Sequence, residues 1–138
     1  MQYAMTLIKH FRDLRTMALN IVINGNVNFY SDTSSTIEKA KKTGLGSSAA
    51  LVTGLVGGLL THFLNDMDVD HLLLIHNTSQ FVHCLVQGKI GSGFDVSCAV
   101  YGSQLYSRFS PQVIQEALDL ASNNNLDGAK FSALIGKR

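Results

Sequence analysis

The stretch Lys42-Thr43-Gly44-Leu45-Gly46-Ser47-Ser48-Ala49-Ala50 joins a small, hydroxyl-bearing loop to an apolar run from Ala49 to Leu60. Gly44 and Gly46 admit backbone turns that few residues tolerate, and they let a ligand come close to the main chain. Ser47 and Ser48 can cap a helix and offer hydroxyls. The free N–H groups of a first helical turn, with the helix dipole behind them, attract an anion. The chemistry these residue types suit is that of a phosphate cradle, and hence of a nucleotide-using enzyme. The simpler reading is a glycine-rich turn before a helix.

Two other phosphate-loop patterns fit worse. The G-x-x-x-x-G-K-[ST] loop is absent. Gly44, Gly46 and Ala49 do match a variant dinucleotide fingerprint, with Asp66 and Asp68 about 20 residues on. That loop would need a buried strand before it, and Lys41-Lys42-Thr43 stands there instead.

A second stretch sets an acid beside glycines: Gln87-Gly88-Lys89-Ile90-Gly91-Ser92-Gly93-Phe94-Asp95-Val96. A lone Asp is most simply a helix cap or a surface carboxylate. Beside a phosphate site, a carboxylate is useful when it binds metal, takes a proton or holds a cation.

The first stretch, KTGLGSSAALVT, resembles the phosphate-binding loop of the GHMP kinases. The second, read as HC..QGKIGSGFDVSCAVYGS....RFSP from His83 to Pro111, is similar to the phosphomevalonate kinases of fungi and plants within that superfamily. The resemblance covers roughly Ala18 to Leu118. It implies an α/β fold like the N-terminal domain of the GHMP kinases, with its left-handed βαβ unit, the ribosomal protein S5 domain 2 type. It implies ATP and Mg²⁺ as cofactors and transfer of a phosphoryl group to 5-phosphomevalonate. Lys42, Gly44, Leu45, Gly46, Ser47, Ser48 and Ala49 then hold the nucleotide, and Ser47 or Ser48 serves the Mg²⁺. Asp95 matches the proposed catalytic base, while Lys89 and Ser92 match positions near the substrate phosphate, with Arg108 a further cation of the same kind. Another GHMP kinase, such as mevalonate kinase, is the alternative enzyme. A nucleotide-binding fragment without turnover is the non-enzyme alternative.

The chain has 138 residues, enough for one domain. Relatives of this type are several-fold longer, so it reads as a central piece of the N-terminal domain, without the C-terminal domain. Alone it is expected to be a poor enzyme with apolar surface exposed. Apolar residues make up 46% and charged residues 15%, a globular composition. A net charge of +1 gives no case for nucleic acid. Cys84 and Cys98 match no zinc or disulfide spacing. No signal peptide is visible, which suggests a cytoplasmic setting. His10, His62, His71, His76 and His83 show no i,i+4 metal pair and read as core or surface residues.

These residues need elements to hold them. A helix is expected around Leu7 to Leu14. Leu19, Ile21 and Ile23 alternate with Asn20, Val22 and Asn24 before Asn24-Gly25-Asn26, which predicts a strand and hairpin. Residues 31–42 read as a polar loop, its Lys39, Lys41 and Lys42 forming a solvated or phosphate-steering face. Ala49 to Leu64 carries no charge. It falls short of a membrane span and reads as a buried central helix, with Gly54, Gly57 and Gly58 allowing close packing. Asp68 or Asp70 caps a helix from His71 to Gln87, ended by Gly88. A short helix follows from Asp95 to Tyr101, then a strand from Gln104 to Phe109. A last helix starts at Ser110-Pro111 and runs to about Ala121, with a break at residues 122–125.

Overall fold

A computed structural model describes residues 18–25, 44–64, 69–123 and 127–135. The regular structure among them is five α-helices: α1 Ser47–Leu64, α2 Val69–Gln87, α3 Phe94–Tyr101, α4 Gln112–Ser122 and α5 Gly128–Ile135. Helix α2 touches each of the other four, α1 also packs on α3, and α4 packs on α5. The centre of this arrangement is therefore α2, and not the apolar helix that composition singles out.

The pattern along α1 explains the difference. It has 18 residues and a mean hydropathy of 1.5, which by length and composition would suffice to cross a membrane, yet only 22% of it is buried. One stripe, Ala49, Thr53, Val56 and Leu60, turns inward at helical spacing. Val56 and Leu60 meet Ile75 of α2, with Val52, Leu64, Leu74, Val82 and Val100 packed around them. Burying each of the three central side chains contributes about 1.5–3 kcal/mol. Leu51 and Leu55 on the other side stay exposed. The glycines divide in the same way. A Cβ on Gly57 would lie 3.7 Å from Ile75 Cγ2, while one on Gly54 or Gly58 would meet nothing within 4 Å. Only Gly57 thus faces a packed neighbour.

Helix α2 ends as its sequence predicts. Gly88 adopts φ +64°. Its N–H bonds the Leu85 carbonyl at 3.3 Å and the Lys89 N–H bonds the Cys84 carbonyl at 3.3 Å. This double closure satisfies two end carbonyls and needs a residue at ease in the left-handed region. Helix α3 starts one residue earlier than its predicted Asp95. Helix α4 follows Pro111, which has helical dihedrals of −53° and −30°. The Ser110 hydroxyl bonds the Gln112 side chain rather than a backbone N–H. Helix α5 was not expected. Its signal is Asp127, whose Oδ1 accepts the Lys130 N–H at 2.8 Å while Oδ2 lies 3.6 Å from Lys130 Nζ. The Lys130 N–H bond, with the adjacent charge, holds the Asp127 carboxyl below its ordinary value. The cap therefore holds above the ordinary carboxylate pKa and is lost as pH falls through the lowered one.

The α/β class is not what the described residues form. Residues 18–25 and 104–109 carry no strand. A strand needs a neighbour to take its N–H and C=O groups, and none lies alongside among the described residues. The alternation at 19–23 does not sort into an inner and an outer face: Leu19, Ile21, Val22 and Ile23 are all exposed. Leu105 is fully exposed, and the segment around it is pinned by side chains instead. The expected helix at Leu7 to Leu14, the turn at Asn26, the 31–42 loop and the Asp68 cap lie outside the described residues. So does Lys42.

Candidate active site

Gly44 and Gly46 take φ +66° and +64°. These two left-handed residues bend the chain into α1 as the sequence requires. The first intrahelical bond runs from the Ala50 N–H to the Gly46 carbonyl at 3.0 Å. Gly46 therefore holds the cap position expected of a serine, and Ser47 and Ser48 stand in the first turn. The N–H groups of Ser47, Ser48 and Ala49 precede the helical ladder, which leaves three donors at the positive end of an 18-residue helix. Ala49 is fully buried, Ser47 and Gly46 half-buried, and Ser48, Leu45 and Gly44 exposed.

The second loop arrives directly against the first. A Cβ on Gly46 would lie 3.6 Å from the Asp95 Cβ. A sequence distance of 49 positions is thus closed to a gap that one methyl group would fill. Asp95 is half-buried in the first turn of α3. Its Oδ1 accepts the Val96 N–H at 3.0 Å. The cap of α3 is Gly93, φ +80°, whose carbonyl takes the Ser97 N–H at 3.0 Å. Asp95 is therefore not the cap of its helix.

Helix α2 brings a third group. The Ser48 Oγ lies 3.2 Å from His83 Nε2. His83 is half-buried, a residue that reads in the sequence as core or surface. Lys89 is exposed just past the end of α2, and Ser92 is half-buried in the loop before α3. The structure brings Asp95 beside Gly46 and His83 beside Ser48, and sets Lys89 and Ser92 on the loop that leads to Asp95.

That loop is held from outside. The Tyr106 hydroxyl donates to the Ser92 carbonyl at 2.6 Å. The Gln104 Nε2 donates to Ser97 Oγ at 2.7 Å. Burial pushes the Tyr106 hydroxyl above its ordinary pKa, and the Asp95 charge adds to this, while the Phe109 backbone N–H and Arg108 pull the other way. Gln104 is a polar residue to which the sequence assigns no mechanism, and Tyr106 gives no sequence signal at all. Between them sits Gly93. A Cβ there would come within 2.6 Å of Gln80 Oε1, 2.7 Å of Phe109 Cε1 and 2.9 Å of the Tyr106 hydroxyl. Gly93→Ala is accordingly expected to destabilise the protein by roughly 1–3 kcal/mol from overpacking, with the left-handed φ adding to the cost. Thermal unfolding of the variant checks this, and an unchanged midpoint would contradict it.

A groove of about 820 Å³ opens at Ser47 and Ser48 and runs along the exposed side of α1, past Leu51 and Leu55 to His62, with residues 19–25 as its far wall. No cluster of three or more His, Cys, Asp or Glu side chains able to hold a metal occurs among the described residues.

Curated proteins match the chain closely. It is 39% identical over 144 residues to a phosphomevalonate kinase of Aspergillus fumigatus, which covers 88% of this chain and 29% of that protein. It is 49% identical over 107 residues to the peroxisomal phosphomevalonate kinase of Arabidopsis thaliana, covering 70% and 21%. With the phosphomevalonate kinase of Gibberella zeae it shares 52% identity over 86 residues, covering 59% and 19%. The chain thus spans less than a third of the length of these relatives. No solved structure matches. The model of the GHMP kinases N terminal domain matches residues 2–103, a span holding the glycine loop, His83 and Asp95, and the chain belongs to this family.

Proposed function

We propose that this chain supplies the phosphate cradle and the catalytic carboxylate of a phosphomevalonate kinase, which transfers the γ-phosphoryl group of ATP to 5-phosphomevalonate and releases 5-diphosphomevalonate and ADP. The observation that carries the reading is the approach of Asp95 to Gly46, close enough that a Cβ on the glycine would touch the Asp95 Cβ. It sets a carboxylate beside three unladdered N–H groups at a helix N-terminus. Phosphoryl transfer needs chiefly this, a positioned polyphosphate and groups that manage charge around it.

The backbone N–H groups of Ser47, Ser48 and Ala49 bind the phosphates, with Gly44 and Gly46 giving the backbone its approach. Leu45 belongs to the same loop, and Lys42, two positions before Gly44 in the sequence, adds a positive charge for the phosphates. The groove beside α1 has the apolar walls and the volume to take the base and ribose. Ser47 or Ser48 serves Mg²⁺, a cation that prefers oxygen donors and keeps waters and phosphates among its ligands. The donor set fits, since the loop offers hydroxyl oxygens and no thiol or imidazole cluster. Bound there with the nucleotide, Mg²⁺ neutralises phosphate charge. Lys89 meets the phosphate of the acceptor, and Ser92 orients it. The complete domain has the α/β fold of its family. Cys84 and Cys98 are both free thiols, which suits a reducing, cytoplasmic compartment.

A coupled assay of ADP release tests the reading, with 5-phosphomevalonate and mevalonate as alternative acceptors, on this chain and on a longer form. Release that depends on 5-phosphomevalonate is expected, weak for the short chain. Release that follows mevalonate instead, or ignores both acceptors, would overturn it.

A further inference from the structure

Helices α1 and α2 run antiparallel, Gly57 beside Ile75 at one end of their contact and Ser48 beside His83 at the other. The Ser48–His83 pair, at 3.2 Å, is the point where α2 reaches the glycine loop. A hydroxyl has one proton and two lone pairs, and a neutral imidazole has one donor nitrogen and one acceptor. What stands behind Ser48 therefore decides what it shows in front. If Nε2 accepts, the Ser48 proton turns toward the ring and oxygen lone pairs face the loop's ligand. If Nε2 carries hydrogen, Ser48 accepts from it and points its own proton outward.

The loop already has donors for an anion in the N–H groups of Ser47, Ser48 and Ala49. For a cation it needs an oxygen whose lone pairs are turned outward. We propose that His83 is a positioning residue of the cradle, its Nε2 accepting the hydrogen bond from the Ser48 hydroxyl so that Ser48 presents lone pairs to the metal that accompanies the nucleotide. The inference rests on the phosphate-cradle reading. It also separates the two serines: Ser48 has an imidazole behind it, and no such partner stands behind Ser47 among the described contacts.

The test measures ATP binding by this chain with Mg²⁺ and with EDTA, so it needs no turnover. In His83→Leu the Kd with Mg²⁺ is expected to rise about tenfold, the worth of one lost hydrogen bond to an ordered group. The Kd in EDTA stays within about twofold on the same ground, since the backbone donors are untouched. Ser48→Ala should do the same, and the double variant no more than either single, because both remove one interaction. His83→Gln, whose side-chain oxygen can accept from Ser48, should recover most of the loss. Nitrogen-15 spectra of the wild-type ring should show Nε2 without hydrogen, changing in Ser48→Ala. Equal losses in both media, additive losses in the double variant, or a neutral ring with hydrogen on Nε2 would overturn the proposal. Gly46→Val is run alongside. If the wild type binds no ATP, or Gly46→Val binds it as well as the wild type, the cradle reading falls and this proposal with it. If Gly46→Val loses ATP while His83→Leu behaves as wild type, only the role of His83 falls.

Discussion

Gly46→Val is expected to abolish ATP binding while the helices persist. Gly46 sits at φ +64°, a region in which a β-branched residue is an outlier. The forced Cβ would stand 3.6 Å from the Asp95 Cβ. That distance is ordinary contact, so the first carbon alone fits. A valine γ-carbon turned toward Asp95 would come closer still and would wedge the glycine loop away from the α3 N-terminus. The Gly46 carbonyl also takes the first bond of α1. Turning this residue out of the left-handed region re-aims the N–H groups of Ser47, Ser48 and Ala49. The core residues Val56, Leu60 and Ile75 lie further along the helices, so the helical signal should survive. Titration with ATP, with circular dichroism as the control for folding, reads both effects. A folded variant with unchanged ATP affinity would mean that the loop is only a turn.

The residues just discussed were legible in the sequence because their cause is local. Left-handed glycines at 44, 46 and 88 follow from residue type and short-range spacing, as do the helices expected from Ala49, His71 and Asp95, which begin one or two residues earlier, at Ser47, Val69 and Phe94. The expected elements that the described residues do not show are those whose cause is a neighbour. Alternating apolar residues at 19–23 specify a strand only when a partner strand is present, and the described residues offer none. The burial of α1 was overread for a similar reason. Composition shows that every side is apolar, but not which side another helix covers; Thr53, a polar residue, is buried while Leu51 is not. Helix α5 was missed although Asp127 is its cap, because a lone Asp-Gly pair reads as a turn as readily as a helix start.

The site divides along the same line. Asp95 and the glycine loop could each be singled out by composition. Their meeting could not, since 49 positions separate them and the packing of α1, α2 and α3 on one another closes the gap. Tyr106 and His83 carry no role in the sequence for the converse reason. His83 opens the second motif yet reads there only as a core or surface residue, Tyr106 falls in a gap of that motif, and each is tied by one hydrogen bond to a loop brought near by the fold. Gly93 carries a stronger signal than it first shows: a glycine between a serine and an aromatic residue is needed where three side chains converge on its missing Cβ.

Asp95→Asn is expected to lower turnover by about 10²-fold, the size of a lost general base, while both substrates still bind. Asparagine keeps the shape, and its Oδ1 can still accept the Val96 N–H that Asp95 holds at 3.0 Å. The α3 cap is Gly93 and stays in place, so stability should change little. Only charge and basicity are removed. The acceptor in the proposed reaction is itself a phosphate, whose second ionisation lies near pH 6. At pH 7 it is already largely deprotonated, and below pH 6 it carries a proton that must leave. The ratio of wild-type to variant turnover should therefore widen as pH falls toward the acceptor's ionisation, if Asp95 takes that proton. A large loss independent of pH would instead assign the carboxylate to charge placement beside the cradle, as expected for a transition state governed by electrostatics. Turnover equal to the wild type at every pH would return Asp95 to a structural role in the first turn of α3. The measurement is ADP release across the pH range, with substrate affinities read separately so that binding and turnover are not confused.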